Sequence, residues 1–390
     1  METVPPFGTS FLAVEWPLLL ECCAPHPNPE SVRSLLAKQP DWRTLISLAE
    51  EHGVIAQLDA QLRSANCDRI PEEVRKTLHE RHRAQLLFSL GMTAELFRLL
   101  QRLQAAGVEA MVVKGPVLSV RAYGDPGLRQ YVDLDFLVRA RHLLAATRVL
   151  TESGYEGDIP VEAIEAEKIP GEYLFTKKGT RVLVELHTEH TFRYFPKPLP
   201  MEDYFSRQTQ VALDGNIVPA LSADDEFVLI CIHGAKHFWE RLMWVADVAA
   251  MVSGGTHLDW KTVKESARAV GAERMVRVAL QLVRNLLHTD LPAEIRADVE
   301  RDRATHGICA RIKDWLPYAG FSPPSLLQRA RFRTAMRGGL IAGPAYLLRL
   351  SFSPTEEDWV EGDEAKRSWL WDAAIRPFRL LKKYGQDGKA

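Results

Sequence analysis

Cysteine is scarce in this sequence, and what there is lacks pattern. Cys22, Cys23, Cys67, Cys231 and Cys309 are scattered and odd in number, which argues against a disulfide-stapled scaffold. No C-x-x-C pair offers a zinc knuckle. A reducing compartment, the cytoplasm, is the expectation. Charge of one sign is scarce too. Forty-nine basic side chains meet 51 acidic ones, a formal balance of -2. No global field draws nucleic acid, so an RNA or DNA partner would need a local basic patch. No uncharged apolar run approaches the roughly 18 to 20 residues of a membrane span. The best stretch, GGLIAGPAYLL at 338–348, is too short and holds a proline. The opening METVPPFGTSFLAVEWPLLLECC lacks a basic leader and carries Glu2 and Glu15, so no signal peptide is expected. Internal repeats and low-complexity tracts are missing as well.

What is present is a chain of 390 residues with 46% hydrophobic side chains, enough for two or three domains or subdomains of a soluble globular protein. From about 29 to 108 apolar residues recur at three- and four-residue steps, the helical period. Pro71 opens the longest of these stretches and Gly107 closes it. The period then changes. VEAMVVKG at 108–115 and YVDLDFLV at 131–138 predict strands. EYLFTKKGTRVLVELHTEH predicts a hairpin turning at Lys178-Gly179. RARHLLAATRVLTESGY between them predicts a helix ending near Gly154. From Ser222, a candidate N-cap, helices return: one continuous helix to about 252, then 260–288, 293–315 and 365–384. The expected architecture is α+β: a small mixed sheet over about 108–190, set between helical regions. The division is 1–84 helical, 85–220 a central core, 221–390 helical.

YVDLDFLV raises a physical question. Asp133 and Asp135 project from the same face of a strand that otherwise wants burial. Two carboxylates that close raise each other's pKa and cost stability. A divalent cation reverses that sign, and Mg²⁺ sites use one or two carboxylates plus substrate phosphates. A third carboxylate is expected from a neighbouring strand, and VLVELH supplies Glu185, with His187 on its face. Each feature has a plain structural alternative. A D-x-D can mark a strand end, and Glu185 could pair with Arg181 or Lys178. VVKGP at 112–116 adds a strand–glycine–helix turn in which Gly115 lets backbone N–H groups approach a phosphate and Lys114 adds a point charge. Gly115 could also merely make the turn.

The order strand–Lys-Gly–helix, Y-G-D-P-x-x-R, D-x-D-h-L-V and then h-E-L-H resembles the uncharacterised bacterial nucleotidyltransferase family of the polymerase-β-type superfamily. Here the matching text is MVVKGPVLSVRAYGDPGLRQYVDLDFLV and VLVELH, and the resemblance covers roughly 85–255. It implies that Asp133, Asp135 and Glu185 hold Mg²⁺ (or Mn²⁺) and that Gly115 lies at the nucleotide phosphates. Lys-Gly-Pro stands where the superfamily usually has Gly-Ser or Gly-Gly. The implied reaction moves a nucleoside monophosphate from an NTP, ATP in first place, to a hydroxyl acceptor, with release of pyrophosphate. The acceptor is open: small molecule, protein or RNA. Two other readings stand beside it. One is a non-catalytic nucleotide-binding or antitoxin-like partner protein; the other is a metal-dependent phosphohydrolase.

Further candidates surround this set. Arg129 could reach a phosphate or pair with Asp135 or Asp125. His233, Lys236, His237, Glu240, Trp244 and Asp247 share a broad helical face, and Lys236 and His237 are candidate nucleotide contacts. Trp239 and Trp244 read as core before stacking platforms. His187, Glu189 and His190 invite a zinc reading, but a strand points H-x-x-H histidines to opposite faces. The basic stretches RARFRTAMR at 329–337 and AKRSWLWDAAIRPFRLLKKYG read as solvated helix faces before nucleic-acid or membrane surfaces.

Overall fold

The computed structural model describes residues 12–65, 69–159, 171–180, 182–188, 201–319 and 325–337, with isolated positions 164, 343, 345, 348, 378 and 379. Four short helices come first: α1 Glu15–Cys23, α2 Pro29–Ala37, α3 Trp42–Glu51 and α4 Ile55–Ser64. Asn28 and Asp41 cap α2 and α3 by accepting hydrogen bonds from the first-turn N–H groups, which otherwise have no partner. The long α5, Glu72–Ala105, opens behind Pro71 and stops before Gly107, whose φ is +71°.

The central region follows as β1 Ala110–Val113, α6 Gly115–Tyr123, β2 Asp133–Val138, α7 Leu143–Glu152, β3 Tyr155–Gly157, β4 Glu172–Lys177, β5 Leu183–His187, α8 Met201–Ser206, β6 Thr209–Leu213 and β7 Asn216–Ala220. The strands form one mixed sheet in the order β3-β4-β5-β2-β1-β7-β6. β2 runs antiparallel to β1 and parallel to β5. The β4–β5 hairpin turns at Lys178-Gly179 as expected, with Gly179 at φ +78°. The β6–β7 hairpin extends the sheet beyond the expected 108–190. Its turn is Asp214-Gly215, both at positive φ, as an Asp-Gly hairpin turn requires.

Alternation divides the sheet into two apolar faces. Val112, Leu134, Phe136, Val184 and Leu186 face a core closed by Leu96, Leu99 and Leu103 of α5 and by Ala146 and Leu150 of α7. Met111, Val113 and Leu137 face the other core. There they meet helices from both ends of the chain, with Leu18, Leu45 and Leu58 in the same cluster as Phe227, Val245 and Leu282. The chemistry-bearing residues project from this second face.

The C-terminal helices are more broken than the sequence period implies. α9 Ala223–Lys236 and α10 Leu242–Ser253 replace the single expected helix. Ser222 does cap α9, accepting from Asp225 N–H. The break follows from Trp239. Phe238 and Trp239 take φ of +57° and +55°, and the Trp239 N–H donates back to the Gly234 carbonyl at 2.8 Å. The fully buried indole lies on Gly234, where a Cβ would stand 2.6 Å from the ring. The expected helix 260–288 is α11 Trp260–Val270 and α12 Glu273–Leu287, parted by Gly271 at φ +70°. The expected 293–315 is α13 Ala293–Arg301 and α14 Arg303–Trp315, with Asp302 capping the second. α15 Leu326–Arg337 is the last described element of any length, and the helix expected at 365–384 lies outside the described residues. Among the described residues no helix is long and apolar enough to cross a membrane. Cys22, Cys23, Cys231 and Cys309 are free and buried; Cys67 lies outside the described residues.

Candidate active site

Strand register assembles the site. Val113, Asp135, Glu185 and Leu174 form one row across β1, β2, β5 and β4. One step along, Leu137, His187 and Glu172 form the next. Residues that pair across a sheet share a face, so Asp135, Glu185, His187 and Glu172 crowd one corner. Asp133 sits two residues before Asp135 on the same face and is half-buried, whereas Asp135 is only 1% exposed. Asp135 and Glu185 therefore come together from two β-segments, with Asp133 two residues back along the first.

The local contacts are close. His187 Nε2 lies 2.9 Å from Asp135 Oδ1 and 3.3 Å from Glu185 Oε2. Lys114 Nζ lies 3.3 Å from Asp135 Oδ2. That ion pair misses hydrogen-bond geometry, so Asp135 Oδ2 is buried without a hydrogen-bond partner. Lys236, at the end of α9, puts its Nζ 3.5 Å from Glu172 Oε2.

Lys114 reaches its place through an uncommon backbone. It takes φ +53° and ψ -134° between β1 and α6, and Gly115 follows at φ +45°. Positive φ at a lysine carries strain of about 1–3 kcal/mol and needs surrounding structure to hold it. Glu226 supplies that hold. Its Oε1 accepts the Lys114 N–H at 3.2 Å, and its Oε2 pairs with Arg121 at 2.6 Å.

Electrostatics separates the acids. Burial raises the Asp133 pKa and the neighbouring Asp135 charge adds to it. Burial also acts on Asp135, but Lys114 and His187 outweigh it and its pKa falls. Glu185 is raised, chiefly by burial, against the opposing hydrogen bond from His187. Glu172 is brought to about 2, because Lys236 and His187 overcome its burial. Burial alone would lower His187, yet its hydrogen bonds to Asp135 and Glu185 lift it to about 10.

A divalent cation fits this corner. Ligand atoms of Asp135, Glu185 and His187 all lie within 4.8 Å of one another. Asp135 Oδ2 is buried in an ion pair with Lys114 without meeting hydrogen-bond geometry, so it keeps lone-pair capacity that a cation could use. Four carboxylates (Asp133, Asp135, Glu172 and Glu185) face the two lysines Lys114 and Lys236. With the His187 ring cationic the excess is one negative charge, and it becomes two, matched to an ion of charge two, once that ring gives up its proton.

The other predicted residues are placed as follows. Arg129 is buried and pairs through Nε with Asp247 Oδ2 at 2.9 Å. Its partner is thus neither Asp135 nor Asp125; the latter accepts the Gly127 N–H at 2.7 Å. The Tyr123 hydroxyl donates to the other Asp247 oxygen at 3.0 Å. His237 stacks obliquely on His233 and Trp244, at ring distances of 4.6 and 5.2 Å. Burial holds His237 at about 3 and His233 well below its ordinary value, with nearby lysines adding to both. Both rings are neutral. Trp239 is core, as expected, while Trp244 is half-buried beside the two histidines. Glu240 turns away, 3.7 Å from Arg329. Glu189 and His190 of the zinc reading, and Arg181, lie outside the described residues. Sequence reasoning missed Glu172. A signal existed: a hairpin turning at Lys178-Gly179 with Leu174 opposite Glu185 puts Glu172 opposite His187.

A family model described as an uncharacterised nucleotidyltransferase matches residues 38–288, well over half of the chain. The chain belongs to this nucleotidyltransferase family. The match is wider than the motif-bearing 85–255, running from just before α3 through α12 and taking in every described strand. A comparison with curated proteins finds no match. Membership in a nucleotidyltransferase family makes the protein a transferase by class, with a nucleoside triphosphate as its substrate.

Proposed function

We propose that the protein is a metal-dependent nucleotidyltransferase that moves a nucleoside monophosphate from an NTP, ATP in first place, to a hydroxyl acceptor and releases pyrophosphate. The observation that carries this reading is the parallel β2–β5 register, which sets Asp135 beside Glu185. In this reading Asp133, Asp135 and Glu185 hold Mg²⁺ or Mn²⁺. When bound, the ion neutralises triphosphate charge and stabilises the transferring phosphoryl group.

The chain's own groups do the rest. Lys114 and Lys236 contact triphosphate oxygens from either side of the carboxylates. Gly115, at the start of α6, brings a helix N-terminus toward the phosphates. Arg129, its charge matched by Asp247, steadies Asp133 through the field it adds. His237 belongs to a neutral ring surface with His233 and Trp244 that suits the flat face of a nucleobase. Glu185 orients the acceptor hydroxyl. Residues 85–220 carry the carboxylates as the catalytic core, with the described helices of 1–84 and 221–390 beside it; the 84/85 boundary itself falls inside α5, Glu72–Ala105. The buried free thiols suit the cytoplasm.

The test is incubation with α-labelled NTPs and Mg²⁺, with RNA, protein and small-molecule fractions of a cell extract supplied as acceptors. Label carried to an acceptor with pyrophosphate release, abolished in Glu185→Gln, is expected. Free monophosphate would mean hydrolysis and unchanged nucleotide would mean binding only; either overturns the proposal.

A further inference from the structure

We infer that the His187 imidazole, releasing its Nε2 proton to solvent as the cation enters, is a direct metal ligand, giving the site one nitrogen among its oxygens and a preference for Mn²⁺-like ions over Mg²⁺. The inference rests on reading the acidic corner as a metal centre, and goes beyond the three carboxylates of that reading. The ring is fixed in place: His187 is 5% exposed, paired across the sheet with Leu137 on one side and Glu172 on the other. Its Nε2 faces the acids, 2.9 Å from Asp135 Oδ1 and 3.3 Å from Glu185 Oε2. Ligands bonded at about 2.1 Å in a six-coordinate shell stand about 3 Å from their neighbours, so these two contacts, hydrogen bonds of the ring as it stands, already have the spacing that neighbouring ligands would need. The second observation is Asp135 Oδ2, buried in the same corner, where the Lys114 ammonium approaches it to 3.3 Å without making a hydrogen bond. Asp133, by contrast, stands outside the set of ligand atoms that lie mutually within 4.8 Å.

The consequence is selectivity. Carboxylate and water suit Mg²⁺, Ca²⁺ and Mn²⁺ alike, whereas imidazole favours first-row transition ions. A hard, small Mg²⁺ gains little from a nitrogen donor. Mn²⁺ accepts both kinds, so one histidine among carboxylates tilts the site toward it.

The experiment uses the full chain and Mn²⁺ alone, read by pulsed electron paramagnetic resonance. Modulation from a directly bound ¹⁴N is expected in the wild type and lost in His187→Gln. It should persist in His233→Ala and His237→Ala, which remove the other nearby rings. Calorimetric titration should show His187→Gln losing at least the roughly 10- to 100-fold in Mn²⁺ affinity that even outer-sphere partners cost, with Mg²⁺ affinity little changed. Mn²⁺ bound without nitrogen modulation in the wild type overturns the inference while leaving the metal centre standing. That measurement needs no variant to fold. Equal losses for Mn²⁺ and Mg²⁺ in His187→Gln would also overturn it, since they mean the ring only holds the carboxylates. No Mn²⁺ binding at all would remove the metal centre and the inference together.

Discussion

Asp133 and Asp135 share a strand face yet should respond oppositely to neutralisation. Two residues of strand rise separate their Cα atoms by about 6.5 Å, and at an effective dielectric near 20 two unit charges that far apart repel by about 2.5 kcal/mol. Lys114 and Arg129 attract Asp133 and offset part of this. Asp133→Asn should therefore raise stability at neutral pH by about 1 kcal/mol in the absence of metal. Asp135 is held by Lys114 at 3.3 Å and His187 at 2.9 Å, all but out of water. Asp135→Asn leaves those cations without their partner, a loss of about 3–5 kcal/mol. Urea midpoints measured in chelator should thus move in opposite directions, while both variants lose transfer. The pH dependence carries the same sign. Burial and Asp135 raise the folded pKa of Asp133 above its unfolded value, so its charge weakens the fold and the penalty fades as pH falls through that raised value. The advantage of Asp133→Asn should vanish on acidification. Asp135 is the reverse: its folded pKa is lowered, so its stabilisation is present above the ordinary carboxylate range and is lost as pH falls toward the folded value. An Asp133→Asn variant as unstable as Asp135→Asn, or an advantage unchanged by acid, would refute the reasoning.

Three further outcomes follow from other contacts. Arg129→Met strands the buried Asp247 carboxylate and should cost about 3–5 kcal/mol, less what the Tyr123 hydroxyl retains; Asp247→Asn in the same chain should restore part of the thermal midpoint. Gly234→Ala puts a Cβ 2.6 Å from the Trp239 ring, so a loss of about 1–3 kcal/mol from overpacking is expected, with a changed near-UV tryptophan signal. His52 is buried, pushed down to about 4 by burial and Arg241, so the stability tied to its neutral form holds above pH 6.5 and drains as pH falls toward 4. The wild type minus His52→Asn difference should change by about 3 kcal/mol across that window, and a flat difference would count against it.

The sheet and its acids were legible because strand alternation is local. Asp133 and Asp135 two apart, Glu185 and His187 two apart, and a Lys178-Gly179 turn already define which side chains share a face. Ser222 as a cap was readable for the same reason. The break between α9 and α10 was not. Nothing from 237 to 241 is a proline or glycine, and the helical period runs through it. The cause is an indole folding back onto a glycine five residues earlier, a packing choice rather than a propensity. Arg129 and Asp247 are 118 residues apart, and no spacing rule links them. The β6–β7 hairpin went unread although an Asp-Gly pair turns it, and β7 pairs in parallel with β1 through Val112 and Ala220 alone. His187 was seen on the correct face and weighed only against zinc.

That break also ties the helices before the sheet to the segment that carries Lys236 and His237. The first turn of α10 is bound from outside its own segment: the Leu242 N–H donates to His52 Nδ1, and the Met243 N–H to the His52 carbonyl, each at 3.1 Å. Gly53 stands against Met243, where a Cβ would be 2.7 Å from the sulfur. On the other side, Asp247 ties α10 to Arg129, just before β2, and to Tyr123 at the end of α6. Lys236, the last residue of α9, reaches Glu172. The segment carrying Lys236 and His237 is thereby held by the α3–α4 turn, by the approach to the D-x-D strand and by β4. Removing α3 and α4 would free the α10 end of that segment. The family match likewise begins at residue 38, just before α3, and so takes in both of these helices.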